Sequence, residues 1–260
     1  MSGGDGPVAA ALADGRATLT EAESKTLLRE TGVETTDFAV ADDADGAVAA
    51  AEGIGYPVVV KVSSPAVVHK SEWGGGAGVA VGLDSAEAVR AAAERIGSEA
   101  DAAGIEAGLL VEEMADTGEG TEVIVGGLRD PSFGPVVLAG LGGVFTEVFE
   151  DTSHRLAPVD RAEAREAIEE LTASKLLAGY RGSAPADVDA LADVVAAVGD
   201  LLVEHDAIAE VDVNPVLATA DGAVALDALV VLGGEEVGDG VDGDNGRVGD
   251  GSGTAEVDRE

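Results

Sequence analysis

The sequence has no cysteine, four lysines in total and only 3% aromatic residues, and its basic side chains are outnumbered 15 to 51 by Asp and Glu. Without cysteine, disulfides and thiolate metal sites are excluded. A net charge of −36 disfavours nucleic acid or an anionic membrane as partner, because such a field repels polyanions. No apolar run reaches membrane-spanning length, and the opening stretch MSGGDGPVAAALADGRATLT has no basic cluster before its short Ala-rich run. A cytoplasmic location is the resulting expectation.

What is present is a globular composition: 46% of the 260 residues are apolar, enough for one large domain or two smaller ones. The acidic shell, poor in lysine and rich in Ala, Val and Gly, resembles proteins of salt-accumulating halophiles, where a Debye length of about 3 Å at 1 M salt screens self-repulsion. From Gly233 to Glu260 the chain carries nine Gly and nine acidic residues without apolar periodicity, which predicts a disordered acidic tail over 233–260. Residues 1–18 are expected to be a flexible N-terminus, leaving 19–232 as the folded unit.

Capping chemistry marks helix starts. Thr20 with Glu23 and Asp84 with Glu87 fit capping boxes, with Gly32 and Gly104 as stops; DRAEAREAIEELTAS and DVDALADVVAAVGDLLVEH fit two further helices. Between them lie YPVVVKVSS, GVAVGL, GLLVEEM, TEVIVGGL, GPVVLAGLG, AIAEVDVNP and AVALDALVVL, all strand-like. Several strands follow one another without an intervening helix, so the fold class is read as α+β with antiparallel or mixed sheets.

Polar residues interrupt these apolar strands. Lys61 stands among Val58, Val59, Val60 and Val62 and must leave the core, snorkel or meet an anion, since an unpaired buried ammonium costs several kcal/mol. Next comes HKSEWGGGAGV, where His69 and Lys70 precede Gly74, Gly75, Gly76 and Gly78. Bare backbone of this kind approaches phosphate closely, although the run matches neither a Walker A nor a Rossmann fingerprint. Imidazole is a competent phosphorus nucleophile. Glu112, Glu113 and Glu122 flank an acidic turn whose ends suit a base edge and ribose hydroxyls. In EVDVNP, alternation sets Glu210, Asp212 and Asn214 on one face of a strand. If the following VALDALVVL pairs with it, Asp227 joins them, and two carboxylates with an amide oxygen suit Mg²⁺.

The strand lysine, the Gly-rich segment, the VEEM hinge, the block from RDPSFGPVV to SHRLAP, and AEVDVNP with a later LD resemble the ATP-grasp domain of ADP-forming acyl-CoA synthetases over nearly all of 19–232. The pattern is most similar to the separately encoded β subunits of ADP-forming acetate–CoA ligases, here of halophilic archaeal type. Succinyl-CoA synthetase β subunits are more distant and carry E-x-N-P where Asp212-Val-Asn-Pro215 stands. The resemblance implies an ATP-grasp fold whose two α+β subdomains, 19–106 and 107–232, grip ATP or ADP.

It also implies conversion of acyl-CoA, ADP and phosphate to acid, CoA and ATP through an acyl phosphate and a phosphohistidine. Lys61 would then contact the nucleotide phosphates, with Lys70 near them and the Gly74, Gly75, Gly76 loop above. Glu113 and the Met114 backbone would meet adenine and Glu122 the ribose, with Glu112 also among the nucleotide-binding residues, and Asp212, Asn214 and Asp227 would hold Mg²⁺. His69 would relay the phosphoryl group and Arg155, in SHRLAP, would neutralise it. No CoA-binding fingerprint or separate phosphohistidine domain fits within the chain, so the resemblance implies an α subunit carrying both, in an α₂β₂ assembly. Two other readings of the sequence are a different ATP-grasp carboxylate ligase and a nucleotide-binding regulatory module.

Overall fold

A computed structural model describes residues 6–67, 70–142, 151–179 and 184–233. His69, the middle of the RDPSFGPVV to SHRLAP block and the acidic tail beyond Gly233 lie outside the described residues. Among the described residues no helix is long and apolar enough to cross a membrane.

A four-stranded antiparallel sheet runs in the order β2 (Phe38–Ala41), β5 (Gly108–Glu113), β3 (Val58–Ser63), β4 (Val79–Leu83). Alternation along β3 sends Val58, Val60 and Val62 to one face, where they pack on Ala47 and Ala51 of α3 (Ala44–Ile54) and on Val89, Ala93 and Ile96 of α4 (Ala86–Ala103). The other face keeps Val59 and Lys61. Helix α4 is capped by Ser85, whose side chain accepts from the Ala88 amide, one residue after the expected Asp84; at Asp84 the chain is still leaving β4. Gly104 ends the helix in the left-handed region, as read from the sequence.

The second sheet follows the order β1 (Glu34–Thr35), β10 (Gly222–Ala225), β9 (Ile208–Thr219), β6 (Thr121–Asp130), β7 (Gly134–Leu141), β8 (Thr152–Leu156). Strand β11 (Leu229–Leu232) lies beside β9 as well, pairing Leu229 with Asp212 and Val231 with Glu210, while β10 takes Val216 to Thr219. AVALDALVVL is thus two strands that share one edge of β9, and Asp227 sits in the break between them.

Helices α5 (Arg161–Glu169) and α6 (Val188–Glu204) cover one face of this sheet. Contact is close at Gly127, where an added Cβ would come within 2.6 Å of Leu202 and 3.0 Å of Val198 on α6. Arg129 secures the far end of α6, its guanidinium donating to the carbonyls of Leu202, His205 and Ile208. The Leu202 carbonyl lies in the last turn, where a helix leaves acceptors unpaired, while His205 is the C-cap residue and Ile208 opens β9.

The N-terminal stretch departs from the expectation of flexibility. Helix α1 (Pro7–Ala13) buries Val8 and Ala11, Leu19 donates its amide to the Val230 carbonyl, and Leu232 donates to Ala17. Helix α2 (Glu21–Glu30), started by the Thr20–Glu23 capping box, sends Leu27 and Leu28 into the core of the seven-stranded sheet. A division after residue 106 would separate β5 from its sheet and α2 from its core. The strand pairing instead sets 38–113 as an insert between two flanks that build the larger unit.

Candidate functional site

Because Val58, Val60 and Val62 are committed to the helices, Lys61 projects toward the seven-stranded sheet, across the space between the two layers. A cavity of about 330 Å³ opens there. Val59, Val79 and Val81 line it from the four-stranded sheet and Pro215 and Leu226 from the side of the larger one, so apolar side chains face it from both layers. Lys61, Glu113, Glu122 and Asp227 supply its polar edge. A larger hollow of about 460 Å³ beside α4 has five carboxylates among its lining residues, those of Asp42, Asp43, Glu94, Asp101 and Glu106, and no basic side chain. It therefore repels a polyphosphate.

Beneath the cavity lies a compact ionic cluster. Lys61 Nζ stands 2.7 Å from Glu21 Oε1 and 2.5 Å from Glu112 Oε1, with Asp227 Oδ2 at 3.9 Å. Lys25 Nζ stands 3.1 Å from Glu21 Oε1 and also contacts Glu112 Oε2. Lys70 Nζ reaches Glu21 Oε2 at 3.0 Å and Asp227 Oδ1 at 3.7 Å. Glu21 and Lys25 come from α2, Lys61 from β3, Glu112 from β5 and Asp227 from the break before β11, so the cluster joins both units.

The electrostatics follow from burial and pairing. Burial alone would push the Glu21 carboxyl up, but Lys61, Lys25 and Lys70 together override it and hold Glu21 at about 2. Lys61 is opposed by burial in the same way, yet Glu21, Asp227 and Glu112 raise it above the ordinary lysine value and keep it charged. Asp212 is pushed up by burial, then by Glu210 and Asp227. Asp227 is raised by burial and by Glu21 against the pull of the three lysines.

The sequence-predicted residues separate into those brought together and those not. Lys61, Glu112, Glu113, Met114, Glu122 and Asp227 all line the cavity, and Lys70 joins through its ion pairs. Glu112, however, is 4% exposed with both carboxylate oxygens occupied by lysines, so it holds Lys61 and leaves base contacts to others. The Met114 amide donates to the Pro57 carbonyl at 3.2 Å and is not a free donor. Gly74 and Gly75 belong to a short 3₁₀ turn, Trp73–Gly75, that Gly76 caps; all three glycines have positive φ and do not line the cavity. Asp212 and Asn214 do face away from the core beside Val211 and Val213.

Arg155 lies elsewhere. It pairs across from Val137, which packs under α6, whereas the row containing Asp212 runs through Gly126, Leu138 and His154 on the opposite face. Its guanidinium is tied to Glu170 at 2.8 Å and to Ser153 at 3.1 Å. His69 lies outside the described residues. Glu21 and Lys25 were missed by the sequence reading; the available signal was the scarcity of lysine, since three of the four in the chain meet at this cluster.

Two layers closing on an apolar slot, with a strand lysine beneath and carboxylates opposite, define an ATP-grasp protein. The model of the ATP-grasp domain family matches residues 10–232, and the chain belongs to that family. Within it, the chain groups with the ADP-forming acetate–CoA ligases. It is 41% identical over 217 residues to the β subunit of ADP-forming acetate–CoA ligase I of Pyrococcus furiosus, covering 82% of this chain and 91% of that one. It is 42% identical over 219 residues to ADP-forming acetate–CoA ligase I of Archaeoglobus fulgidus, but spans only 31% of that longer protein. An acetyl-CoA synthetase structure from Ca. Korarchaeum cryptofilum, holding coenzyme A and Ca-AMPCP, superposes with a TM-score of 0.80 at 42% identity over 86% of this chain and 97% of that one.

Proposed function

We propose that the chain is the nucleotide-handling β subunit of an ADP-forming acyl-CoA synthetase, moving a phosphoryl group between a phosphohistidine and ADP or ATP. The observation that carries this reading is the cavity itself: an apolar slot between the sheets whose one lining cation among the described residues, Lys61, is held charged at its base. In the slot, Val59, Val79 and Val81 would meet one face of adenine and Leu226 the other. Glu122 would accept from the ribose hydroxyls. With its amide engaged, Met114 offers the base its carbonyl as an acceptor for the exocyclic amino group.

Lys61 and Lys70 then meet the phosphates, and enclosure between the layers excludes water that would otherwise intercept the phosphoryl group. In the forward step the nitrogen–phosphorus bond of the phosphohistidine breaks, its electron pair returning to the imidazole. A terminal ADP oxygen forms the new phosphorus–oxygen bond. Alignment and charge neutralisation are what the protein has to supply for this.

Asp212, Asn214 and Asp227 fit a hard divalent cation: all three offer oxygen, and Asp212 and Asp227 are raised by burial first and then by neighbouring like charges, both of which a cation would offset. Among the described residues no group of three or more His, Cys, Asp or Glu side chains is arranged to hold a metal ion by itself, so the set would be completed by the Asn214 amide oxygen, phosphate oxygens and water. A bound Mg²⁺ would supply charge neutralisation at the phosphates.

An α polypeptide completes the reading. The Pyrococcus β subunit is matched over 91% of its length, whereas in the Archaeoglobus single-chain ligase the shared region is 31% of the protein. On this reading, what the longer chain adds would come from an α polypeptide, in an α₂β₂ assembly. The test is co-purification with the neighbouring α polypeptide and measurement of ATP from acetyl-CoA, ADP, phosphate and Mg²⁺ in molar KCl. ATP formation that requires both chains is expected; Mg²⁺·ADP binding by this chain without ATP formation by the pair would favour a regulatory module.

A further inference from the structure

Two charged residues of α2 that sit too deep to meet a phosphate are built into the base of the cavity. Lys25 is fully buried; its ammonium donates to Glu112 and, at 3.2 Å, to Thr36 Oγ1, and it forms an ion pair with Glu21 at 3.1 Å. Glu21 and Glu112 each also contact Lys61, so Lys25, Glu21, Lys61 and Glu112 close a ring of alternating charge. An ammonium has three donors. Two of those on Lys61 are held by the ring, and the nearest further acceptor among its ion-pair partners, Asp227 at 3.9 Å, is beyond hydrogen-bond reach. The third is left for the cavity that Lys61 lines.

Removing one charge from the ring is costly, but stability alone is a weak reason for having the whole ring. Buried ion pairs are commonly replaceable by apolar residues at no loss, because desolvation offsets their attraction. What the ring does supply is charge balance. Lys25, Lys61 and Lys70 face Glu21, Glu112 and Asp227, three against three. Take away Lys25 and two carboxylates share one ring cation, leaving a net negative charge directly below the place where phosphates would lie.

We infer that Lys25 and Glu21 are positioning residues for phosphate recognition: without touching nucleotide, Lys25 neutralises the two carboxylates so that Lys61 keeps one free N–H and an undiminished charge toward the cavity. The inference rests on the nucleotide reading of the site. It sets an order of affinities by cluster charge. Lys25→Met leaves the cluster at −1, Glu21→Gln at +1, and the double variant back at zero.

The experiment titrates Mg²⁺·ADP, and separately adenosine, into the full chain and these three variants in molar KCl, with a thermal melt on each. Salt at that level screens surface charge but little of a buried ring. Lys25→Met is expected to weaken ADP by at least about tenfold, the loss of one charge-assisted phosphate contact. Adenosine, which has no phosphate, should stay within about twofold, and the double variant should return ADP affinity to near wild type. If Lys25→Met does not fold, the same change is read in the Glu21→Gln background, where ADP should bind more weakly to the double variant than to Glu21→Gln. Parallel losses of ADP and adenosine, or folded variants whose ADP affinities ignore the charge order, overturn the inference. A folded wild-type chain that binds neither ligand sinks the nucleotide reading first, and is told apart by that result.

Discussion

Replacing Glu21 with Gln should change how stability depends on pH, and the size of the change can be worked from the structure. Burial opposes the Glu21 charge, three lysines override it, and the folded value falls to about 2 from an unfolded 4.5. A carboxyl with a lowered folded value contributes stability that is fully present above 4.5 and is lost as pH falls toward 2. The gap corresponds to roughly 3 kcal/mol, of which about 2 kcal/mol disappears between pH 5 and pH 3. Glu21 is 4% exposed, so solvent screening takes little from this figure. The chain carries 51 acidic residues, and its background stability will also move with pH. The informative quantity is therefore the difference between wild type and Glu21→Gln, from urea denaturation in molar KCl at several pH values. Wild type should lose about 2 kcal/mol more than the variant over that interval. If the two curves stay parallel to within a few tenths down to pH 3, Glu21 is not held by the lysines as the geometry requires.

Lys61→Met removes the cavity's lining cation and should weaken Mg²⁺·ADP by about 1.5–3 kcal/mol, the value of a charge-assisted hydrogen bond, as read by calorimetry; unchanged affinity would place the phosphates elsewhere. Arg129→Ala should cost roughly 2 kcal/mol in urea denaturation, since the carbonyls of Leu202 and His205 at the end of α6 and of Ile208 at the start of β9 lose the guanidinium, while ADP affinity stays at the wild-type value. Gly78→Ala should both lower the melting temperature and weaken ADP, because the added Cβ would lie 2.3 Å from the Lys70 carbonyl oxygen and must shift the backbone that aims Lys70 at Glu21 and Asp227. A Gly78→Ala protein with wild-type ADP affinity would separate Lys70 from the site.

Much of the fold was legible because its signals are local. Helices α2 and α5 begin with capping boxes at Thr20 and Asp160, and α6 runs from the Asp187 cap through an apolar stripe of Leu191, Val194, Val195 and Val198. The elements that were overlooked are short or poorly patterned. Helix α3 is built of Ala with Gly46 and Gly53 in its span, and only Ala47 and Ala51 are buried, so no apolar period emerges. Strand β8 has one buried residue, Ser153, in TSHRL. AVALDALVVL reads as one strand by propensity, and its break at Asp227 depends on two strands sharing one edge of β9, which no local pattern records.

The site was legible only where a single residue broke its own pattern. Lys61 contradicts its strand and was found; Glu21 fits its capped helix and was not. Their hydrogen bond spans 40 residues, and that from Lys25 to Glu112 spans 87. No period of helix or strand links such positions. Composition carried the missing information. Arginine makes the outer ion pairs, Arg90 with Asp45, Arg161 with Asp193 and Arg165 with Glu169, while three of four lysines converge beneath one cavity. A guanidinium spreads its charge over a planar fork suited to bidentate surface pairs, whereas an ammonium is a compact point charge with three donors, the geometry needed to bridge two carboxylates and still face a phosphate. In a chain with four lysines, the three at this cluster stand where arginine's shape would not serve, and on that argument Lys25 is as strong a sequence lead as Lys61.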